Sequence, residues 1–372
     1  MQKKLKIAIA VPVVLVLAGA GLTEAYILSV PPNPCVGITT PTSPSEPESI
    51  GLSGSDFDAG SSPGATSSAH DLSSAPGEPA VPATTPESTG LVINVVAAEN
   101  FWGSLVSQLG GIHVSVLSII TNPNTDPHEY QSNSSTAVAI SNANYVILNN
   151  VGYDTWGTEL VDADGNSHQT VLNIGDSLGV FVTGGIVTGN PHLWYNPVYV
   201  NQTVAWMYNN LTTIATSMGW SNLTGYFADQ YNNLTASLTS LYDEVGAIKS
   251  HFAGTVVAST ESIFVYLANV TDLNLVSPPA FMEAIAEGND PSDSSIVTFQ
   301  CQLQSGHVRV LVFNLQTVTP ITTNMKDIAA ANNVTVIGIT ETVQPVGTSF
   351  QLWMDSEYLE LYNALNAITL GQ

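Results

Sequence analysis

The chain has 372 residues, of which 44% are hydrophobic, so it is long enough for about two domains with a substantial apolar core. Only 6 Lys and Arg residues stand against 30 Asp and Glu, which gives a formal net charge of −24. Nucleic acid and anionic membrane surfaces attract basic proteins, so this composition argues against both as partners of the folded part. An acidic medium would suit such a chain, because its carboxyls neutralise there and few bases remain to repel one another.

The chain begins with a basic and then an apolar segment. Three lysines among the first six residues precede an apolar run from Ile7 to about Leu22. This pattern predicts a secretory signal or a membrane anchor over residues 1–30, because the positive charges are confined to one end. Residues 31–90 are rich in Ser, Thr, Pro and Gly and are predicted to form a disordered stalk, since they cannot bury a core.

The two cysteines and the glycosylation triplets carry weaker signals. Cys35 in the stalk could be a free thiol, an intermolecular bridge, a lipid site or the partner of Cys301 in a disulfide. Cys301 lies in a helical pattern and is most simply a small buried hydrophobe. With an export signal, Asn-X-Ser/Thr triplets also predict a glycosylated surface protein. The triplets begin at Asn133, Asn201, Asn210, Asn222, Asn233, Asn269 and Asn333.

From residue 91 onward, apolar runs typical of strands alternate with helical patterns. The predicted strands are Leu91–Ala98, Val114–Ile120, Tyr145–Asn150, Thr255–Thr260, Val308–Asn314 and Val334–Thr340. The predicted helices are Asn100–Leu109, Ser132–Asn142, Val198–Met218, Ser262–Val270, Ser292–Ser305, Val318–Asn332 and Phe350–Ala367. This alternation predicts an α/β fold in which parallel sheets are covered by helices.

One further helix is predicted between the two groups of strands, over residues 221–253. Its apolar residues recur at spacings of four and three, as on one face of a helix. At a rise of about 1.5 Å per residue it would span about 45 Å, enough to join two lobes once. We therefore expect one lobe over residues 91–220 and another over 254–372. The apolar stripe consists of Phe227, Tyr231, Leu234, Leu238, Leu241, Val245, Ile248 and Phe252.

Four polar residues follow strands or stand in Pro-His motifs: His128, His192, Glu261 and Glu341. Ligands of open α/β sheets bind beyond the carboxyl ends of the strands. Two imidazoles and two carboxylates that converge there would make a mixed N/O site for a divalent transition metal. Taken singly, each histidine could be a loop residue, and each glutamate could favour the positive start of a helix.

The ordered motifs resemble those of the ABC-transporter solute-binding proteins that capture zinc or manganese. The resemblance covers about Val92 to Ile368 and implies two α/β lobes, joined by a single long helix, with the metal in the cleft between them. The motifs are Val96–Gly103, Asn122–Tyr130, Asn190–Pro197, Ser259–Tyr266, Val308–Asn314 and Gly338–Thr342.

The resemblance also implies a ligand set and partners. It matches His128 and His192 to the first two metal ligands, Glu261 to the third and Glu341 to the fourth. The cargo would be Zn²⁺ or Mn²⁺, with Fe²⁺ as a further option, and the partners an ABC permease and its ATPase. The protein would act as a monomer on the outer side of the cytoplasmic membrane, where the N-terminal segment would anchor it, or be secreted.

Two departures from the family pattern concern the site. Asn196 stands where Asp is more frequent in the second motif. Glu261 stands where zinc-type members have His, and a harder donor set favours Mn²⁺ or Fe²⁺, whereas the affinity order favours Zn²⁺. Both imidazoles must be neutral to bind, so affinity should fall as the pH drops into the range where histidines protonate.

Two other functions compete with metal capture. A metal-dependent hydrolase would need an open metal position and a base that is not itself a ligand. The sequence offers four ligand candidates without a well-placed fifth acid, which favours a binding protein that is not an enzyme. A surface adhesin with a structural metal is the third option, suggested by the stalk and the glycosylation triplets.

Overall fold

The computed structural model describes Cys35 and residues 90–125, 127–180, 182–183, 186–187 and 189–370. The predicted anchor and nearly all of the predicted stalk lie outside these residues. Among the described helices, none combines the length and the apolar character needed to cross a membrane.

The first sheet has four parallel strands in the order β2-β1-β3-β4. The central strands β1 and β3 are apolar over most of their length because helices cover both faces of a parallel sheet. The strands are β1 Ile93–Glu99, β2 Val114–Ile120, β3 Tyr145–Leu148 and β4 Thr170–Asn173. The helices of this part are α1 Asn100–Gly110, α2 Ser134–Ser141, α3 Thr155–Asp164, α4 Ile174–Leu178 and α5 Pro197–Ser217. A small antiparallel pair, β5 Val182–Thr183 and β6 Ile186–Val187, precedes α5.

The second sheet repeats this plan, with four parallel strands in the order β10-β9-β7-β8. The strands are β7 Val256–Ser259, β8 Asn274–Leu275, β9 Val310–Asn314 and β10 Thr335–Ile339. The helices are α7 Val265–Val270, α8 Pro279–Ala286, α9 Asp293–Gln304, α10 Pro320–Ala331 and α11 Phe350–Leu370.

A 29-residue helix, α6 Thr224–Phe252, connects the two sheets. It packs against α1, α5 and α11, and every residue of the predicted stripe is buried except Tyr231, which is half-buried. The largest apolar cluster contains side chains from both sheets, including Val95 of β1 and Val312 of β9. Two parallel sheets, covering helices and one long connecting helix confirm the predicted fold class.

Several short elements were absent from the sequence prediction. Strands β4 and β8 have four and two residues, too few for a periodic pattern. The polar segment from Asp162 to His168 begins as the last turn of α3. That helix ends at Gly165, whose φ of 60° stops it in the left-handed conformation.

A disulfide joins Cys35 to Cys301 of α9, with the two Cα atoms 5.0 Å apart. Of the alternatives for Cys35, the disulfide is therefore the one that the structure contains, and the interpretation of Cys301 as a simple buried hydrophobe was wrong. The sequence separation of 266 residues explains why no local pattern indicated this pair.

Candidate metal centre

The four candidate residues lie at strand ends or in short turns that face the cleft between the sheets. His128 is in the 3₁₀ turn Pro127–Glu129 after β2, and His192 directly precedes the 3₁₀ turn Leu193–Tyr195. Glu261 and Glu341 each follow the last residue of their strand, β7 or β10, by two positions. The carboxyl ends of parallel strands thus bring them to one place.

The structure brings all four side chains together. His128 Nε2 lies 3.4 Å from Glu341 Oε2, while His192 Nε2 lies 3.6 Å from Glu261 Oε1 and 3.8 Å from Glu341 Oε2. Potential ligand atoms of His128, His192 and Glu261 all lie within 4.8 Å of one another. The side chains of His192, Glu261 and Glu341 are fully buried, whereas that of His128 is 12% exposed. One small cation could contact His128, His192 and Glu261 together, with His128 at the solvent side and Glu341 beside both histidines.

Asn190 fixes the orientation of the His192 ring. The Asn190 Oδ1 atom accepts the backbone N–H of His192 at 3.0 Å and lies 2.6 Å from ring atom Nδ1. Asn190 Nδ2 donates to the Ser262 carbonyl at 2.6 Å, so Oδ1 is the acceptor and Nδ1 carries the ring proton. The His192 Nε2 lone pair therefore faces the two carboxylates. Within the described part of the chain this buried atom has no hydrogen-bond partner, which a bound cation would satisfy.

Asn314 lies between the two carboxylates. It ends β9, the strand between β7 and β10, so its side chain falls between those of Glu261 and Glu341. Its Nδ2 lies 3.1 Å from Glu261 Oε2 and 2.5 Å from Glu341 Oε1. Thr317 Oγ1 also donates to Glu341 Oε1 at 2.9 Å.

Glu261 has a second role as the cap of the 3₁₀ turn Ser262–Phe264. Its Oε2 accepts the backbone N–H of Ile263 at 3.2 Å, and its Oε1 accepts the Ser262 hydroxyl at 2.9 Å. These bonds hold the carboxylate in place without occupying every lone pair, so capping is compatible with metal binding.

Tyr153 approaches the site from a strained turn after β3. Its hydroxyl donates to Glu341 Oε2 at 2.8 Å, and its ring centroid is 4.8 Å from that of His128.

The turn that carries Tyr153 has three consecutive residues in the left-handed conformation: Asn150, Val151 and Gly152 have φ values of 63°, 59° and 80°. A β-branched residue in this conformation costs about 1–3 kcal/mol, and such strain is frequent at functional sites. The carboxylate of Asp154 stabilises the turn by accepting the backbone N–H groups of Asn149 and Asn150, both at 2.6 Å.

The pKa values of the buried acids around the site are shifted in opposite directions. Burial alone would raise the pKa of Glu341, but the charge and hydrogen bond of His128 hold it well below its usual value. Burial raises the pKa of Asp154 to about 6. Burial and the nearby charge of Asp154 raise the pKa of Glu99 well above its usual value.

Gln316 links the second sheet to the loop that carries His128. Its Oε1 accepts the backbone N–H of Glu341 at 2.7 Å and that of Thr342 at 2.9 Å. Its Nε2 donates across the cleft to the Thr125 carbonyl at 3.1 Å. One amide therefore holds the backbone of Glu341 and also touches the segment that precedes His128.

The chain matches a family model of known proteins over residues 95–364, and that model is described as zinc-uptake complex component A, periplasmic, or ZnuA. The chain belongs to the ZnuA family. Among curated proteins, no sequence matches it significantly. The family membership predicted from the ordered motifs is thus confirmed.

Solved structures share the ZnuA-like fold. A crystal structure of ZnuA aligns with a TM-score of 0.60 and 17% identity, covering 74% of this chain and 99% of that one. The periplasmic zinc-binding protein TroA from Treponema pallidum gives a TM-score of 0.61 and 14% identity, covering 73% and 99%. The solute-binding protein FpvC from Pseudomonas aeruginosa, solved in complex with Mn²⁺, gives 0.60 and 16%, covering 74% and 98%. At sequence identities this low, the structural similarity shows a shared fold and nothing more.

Sequence reasoning missed three residues of this candidate site: Tyr153, Asn314 and Gln316. Asn314 ends a predicted strand and could have been found by the rule that found the glutamates. Four other histidines in the described part of the chain lie away from the site. His113 and His251 contact the backbone carbonyls of Leu91 and Ala247, and His168 and His307 are exposed.

Proposed function

We propose that this protein captures one divalent transition-metal ion, Zn²⁺ or Mn²⁺, outside the cytoplasm and delivers it to an ABC permease with its ATPase. His128, His192, Glu261 and Glu341 would be the ligands. The lobes over residues 91–220 and 254–372 would each contribute two of them, with residues 221–253 as the connecting helix.

One observation carries this proposal: the buried Nε2 atom of His192 faces two buried carboxylates and has no hydrogen-bond partner in the described part of the chain. A buried polar atom left in this way costs free energy unless a ligand satisfies it. Two neutral imidazoles and two carboxylates also balance the charge of a divalent ion. Membership of the ZnuA family and likeness to a zinc-binding protein and to a Mn²⁺ complex support the same assignment.

Two of the neighbouring acids, Asp154 and Glu357, favour capture over hydrolysis. A hydrolase needs a base that is not a ligand. Asp154 is used by backbone N–H groups of its own turn. Glu357 accepts hydrogen bonds from Tyr195, Trp353 and Thr340. Neither carboxylate is placed to activate a water molecule at the site.

The proposal is tested by titrating the metal-free full-length protein with Zn²⁺ and with Mn²⁺. The wild-type chain should bind one ion. His192→Ala and Glu261→Ala each remove a ligand and should weaken binding by more than about 100-fold, the upper end of what supporting residues contribute at metal sites.

His251→Ala, which removes a histidine of α6 from outside the site, is the matched control and should bind as the wild type does. Unchanged affinity in both ligand variants would contradict the proposed site. Delivery is separated from capture in the native cell, where His192→Ala should lower metal uptake under metal limitation as strongly as deletion of the gene.

A further inference from the structure

We propose that Asn314 restricts Glu261 and Glu341 to one metal-facing oxygen each, and that it thereby makes the site selective for four-coordinate Zn²⁺ over Mn²⁺. This inference rests on the proposed function, because it concerns the metal preference of the same site. It begins with the orientation of the Asn314 amide.

The direction of that amide is fixed by the backbone. Asn314 Oδ1 accepts the backbone N–H of Gln316 at 2.9 Å, so Nδ2 must point the other way, toward the carboxylates. Asn314 is fully buried, and no solvent competes for its two N–H groups. One can donate to Glu261 and the other to Glu341, at the distances given above, and Thr317 Oγ1 lies 3.0 Å from the same nitrogen.

The hydrogen bonds divide each carboxylate into a near and a far oxygen. The far atoms are Glu261 Oε2, held by Asn314 and the backbone N–H of Ile263, and Glu341 Oε1, held by Asn314 and Thr317. The near atoms are Glu261 Oε1 and Glu341 Oε2, 3.6 and 3.8 Å from His192 Nε2. Turning a far oxygen toward the ion would break charge-assisted hydrogen bonds in a buried site.

A site built in this way offers four donors: two imidazole nitrogens and two single oxygens. Zn²⁺ is satisfied by four tetrahedral ligands, whereas Mn²⁺ favours octahedral, oxygen-rich coordination. The two missing donors for Mn²⁺ would have to be far oxygens or water. Three of the four side chains are fully buried and His128 is only 12% exposed, which limits water.

The histidine–glutamate spacing agrees with a small tetrahedral ion. Zinc bonds of about 2.0–2.1 Å to nitrogen and oxygen imply a ligand–ligand distance of about 3.3 Å in a tetrahedron. The three histidine–glutamate distances are 3.4, 3.6 and 3.8 Å. Glu261 in place of a histidine makes the donor set harder, which favours Mn²⁺. Asn314 opposes this preference by limiting the number of carboxylate oxygens that can reach the ion.

The test is a competition titration of the metal-free full-length protein with Zn²⁺ and Mn²⁺, combined with X-ray absorption spectroscopy of the loaded forms. Wild-type protein should prefer Zn²⁺ and show four N/O donors around it. Asn314→Ala frees both far oxygens, so the ratio of Zn²⁺ to Mn²⁺ affinity should fall by at least about tenfold, within the range of outer-sphere effects. The Mn²⁺-loaded variant should show more donors than Mn²⁺-loaded wild type.

Two further variants distinguish the proposed effect from a general loss of structure. Thr317→Val removes one hydrogen bond from Glu341 Oε1 and should shift the affinity ratio in the same direction by less. Ser277→Ala removes a buried hydrogen bond to the backbone N–H of Ser259 in the same sheet without touching either carboxylate, and should leave the ratio unchanged.

Equal losses of Zn²⁺ and Mn²⁺ affinity in both Asn314→Ala and Thr317→Val would overturn the inference, as would six donors around Mn²⁺ in the wild-type protein. Wild-type protein that binds neither ion would instead overturn the proposed function, and with it this inference.

Discussion

Tyr153 binds the oxygen of Glu341 that faces both histidines. Its hydroxyl donates to Glu341 Oε2 at 2.8 Å, and its ring packs edge-on against His128. A carboxylate oxygen has a second lone pair, so this hydrogen bond can persist while the same atom binds a cation. In the proposed site, Tyr153 would therefore orient Glu341 before the metal arrives, as outer residues commonly do at metal sites.

Replacing Tyr153 with Phe keeps the ring against His128 and removes only this hydrogen bond. We expect Tyr153→Phe to weaken metal binding by about tenfold, because Glu341 Oε2 then loses the hydrogen bond that orients it, while Oε1 keeps its own. Isothermal titration of the metal-free protein measures the change. Tyr226→Phe, on α6 beside Gly111, serves as the control, and an equal loss in both variants would contradict a role specific to Tyr153.

The site residues differ in how far the sequence could predict them. His128, His192, Glu261 and Glu341 were found because carboxyl ends of parallel strands converge and because two stand in Pro-His motifs. Tyr153 could not be found in this way. Its position depends on three consecutive left-handed residues, one of them a valine, and no sequence pattern indicates such a turn. The partners of Asn314 likewise follow from strand order, which the sequence leaves open.

At the scale of elements, the segment after β9 connects the two sheets through side-chain hydrogen bonds, whereas α6 connects them through the chain itself. Gln316 in this segment holds the backbone of Glu341 through Oε1 and reaches the Thr125 carbonyl through Nε2. A second contact runs from Tyr195 OH to the Thr340 carbonyl at 3.0 Å. The segment carrying Glu341 is thus bound to the first sheet on two sides.

Gln316→Glu separates the two functions of this side chain. A carboxylate can still accept the N–H groups of Glu341 and Thr342, but it cannot donate to the Thr125 carbonyl and repels it. We expect the bound ion to dissociate about tenfold faster, since changes at an interface act mainly on dissociation rates. Stopped-flow release to a chelator measures this rate.

The control for this variant is Gln202→Glu, which makes the same change of charge on the exposed face of α5. A dissociation rate in Gln316→Glu equal to that of the control would show that the contact with Thr125 does not hold the cleft closed.

At the scale of the whole molecule, the described part has one large apolar core that crosses from one sheet to the other. The buried acid Glu357 accepts hydrogen bonds from Tyr195 and Trp353 of this core. Burial raises the pKa of Glu357 to about 7 and outweighs its hydrogen bonds from Tyr195, Thr340 and Trp353. Together with Asp154 and Glu99, Glu357 binds protons in the folded state that the unfolded chain has already released.

The metal-free protein should therefore become more stable as the pH falls from about 7 toward 5. A raised pKa in the folded state contributes stability that is present below the unfolded value, 4.5 for Glu357, and is lost as the pH rises through about 7. For Glu357 this contribution amounts to at most about 3 kcal/mol. Below about pH 4.5 the trend should reverse, because the depressed pKa of Glu341 acts with the opposite sign.

Urea unfolding at several pH values measures this dependence. Glu357→Gln should flatten it between pH 5 and 7, whereas Glu360→Gln, an exposed change on the same helix, should not. A stability that falls steadily from pH 7 to 5 in the wild-type protein would contradict the expectation, and with it the idea that the acidic composition suits an acidic medium.

The disulfide between Cys35 and Cys301 gives the chain a covalent ring. Any peptide bond from residue 35 to residue 301 lies within that ring, including every bond of the segment 36–89. A single proteolytic cut there opens the ring but leaves the two pieces joined through sulfur. With residues 1–30 as a membrane anchor, one of the two sequence predictions for this segment, such a cut would not shed the proposed metal site from the cell. Release by a cut within the ring would require reduction as well as cleavage, whereas a cut between residues 30 and 35 would need no reduction.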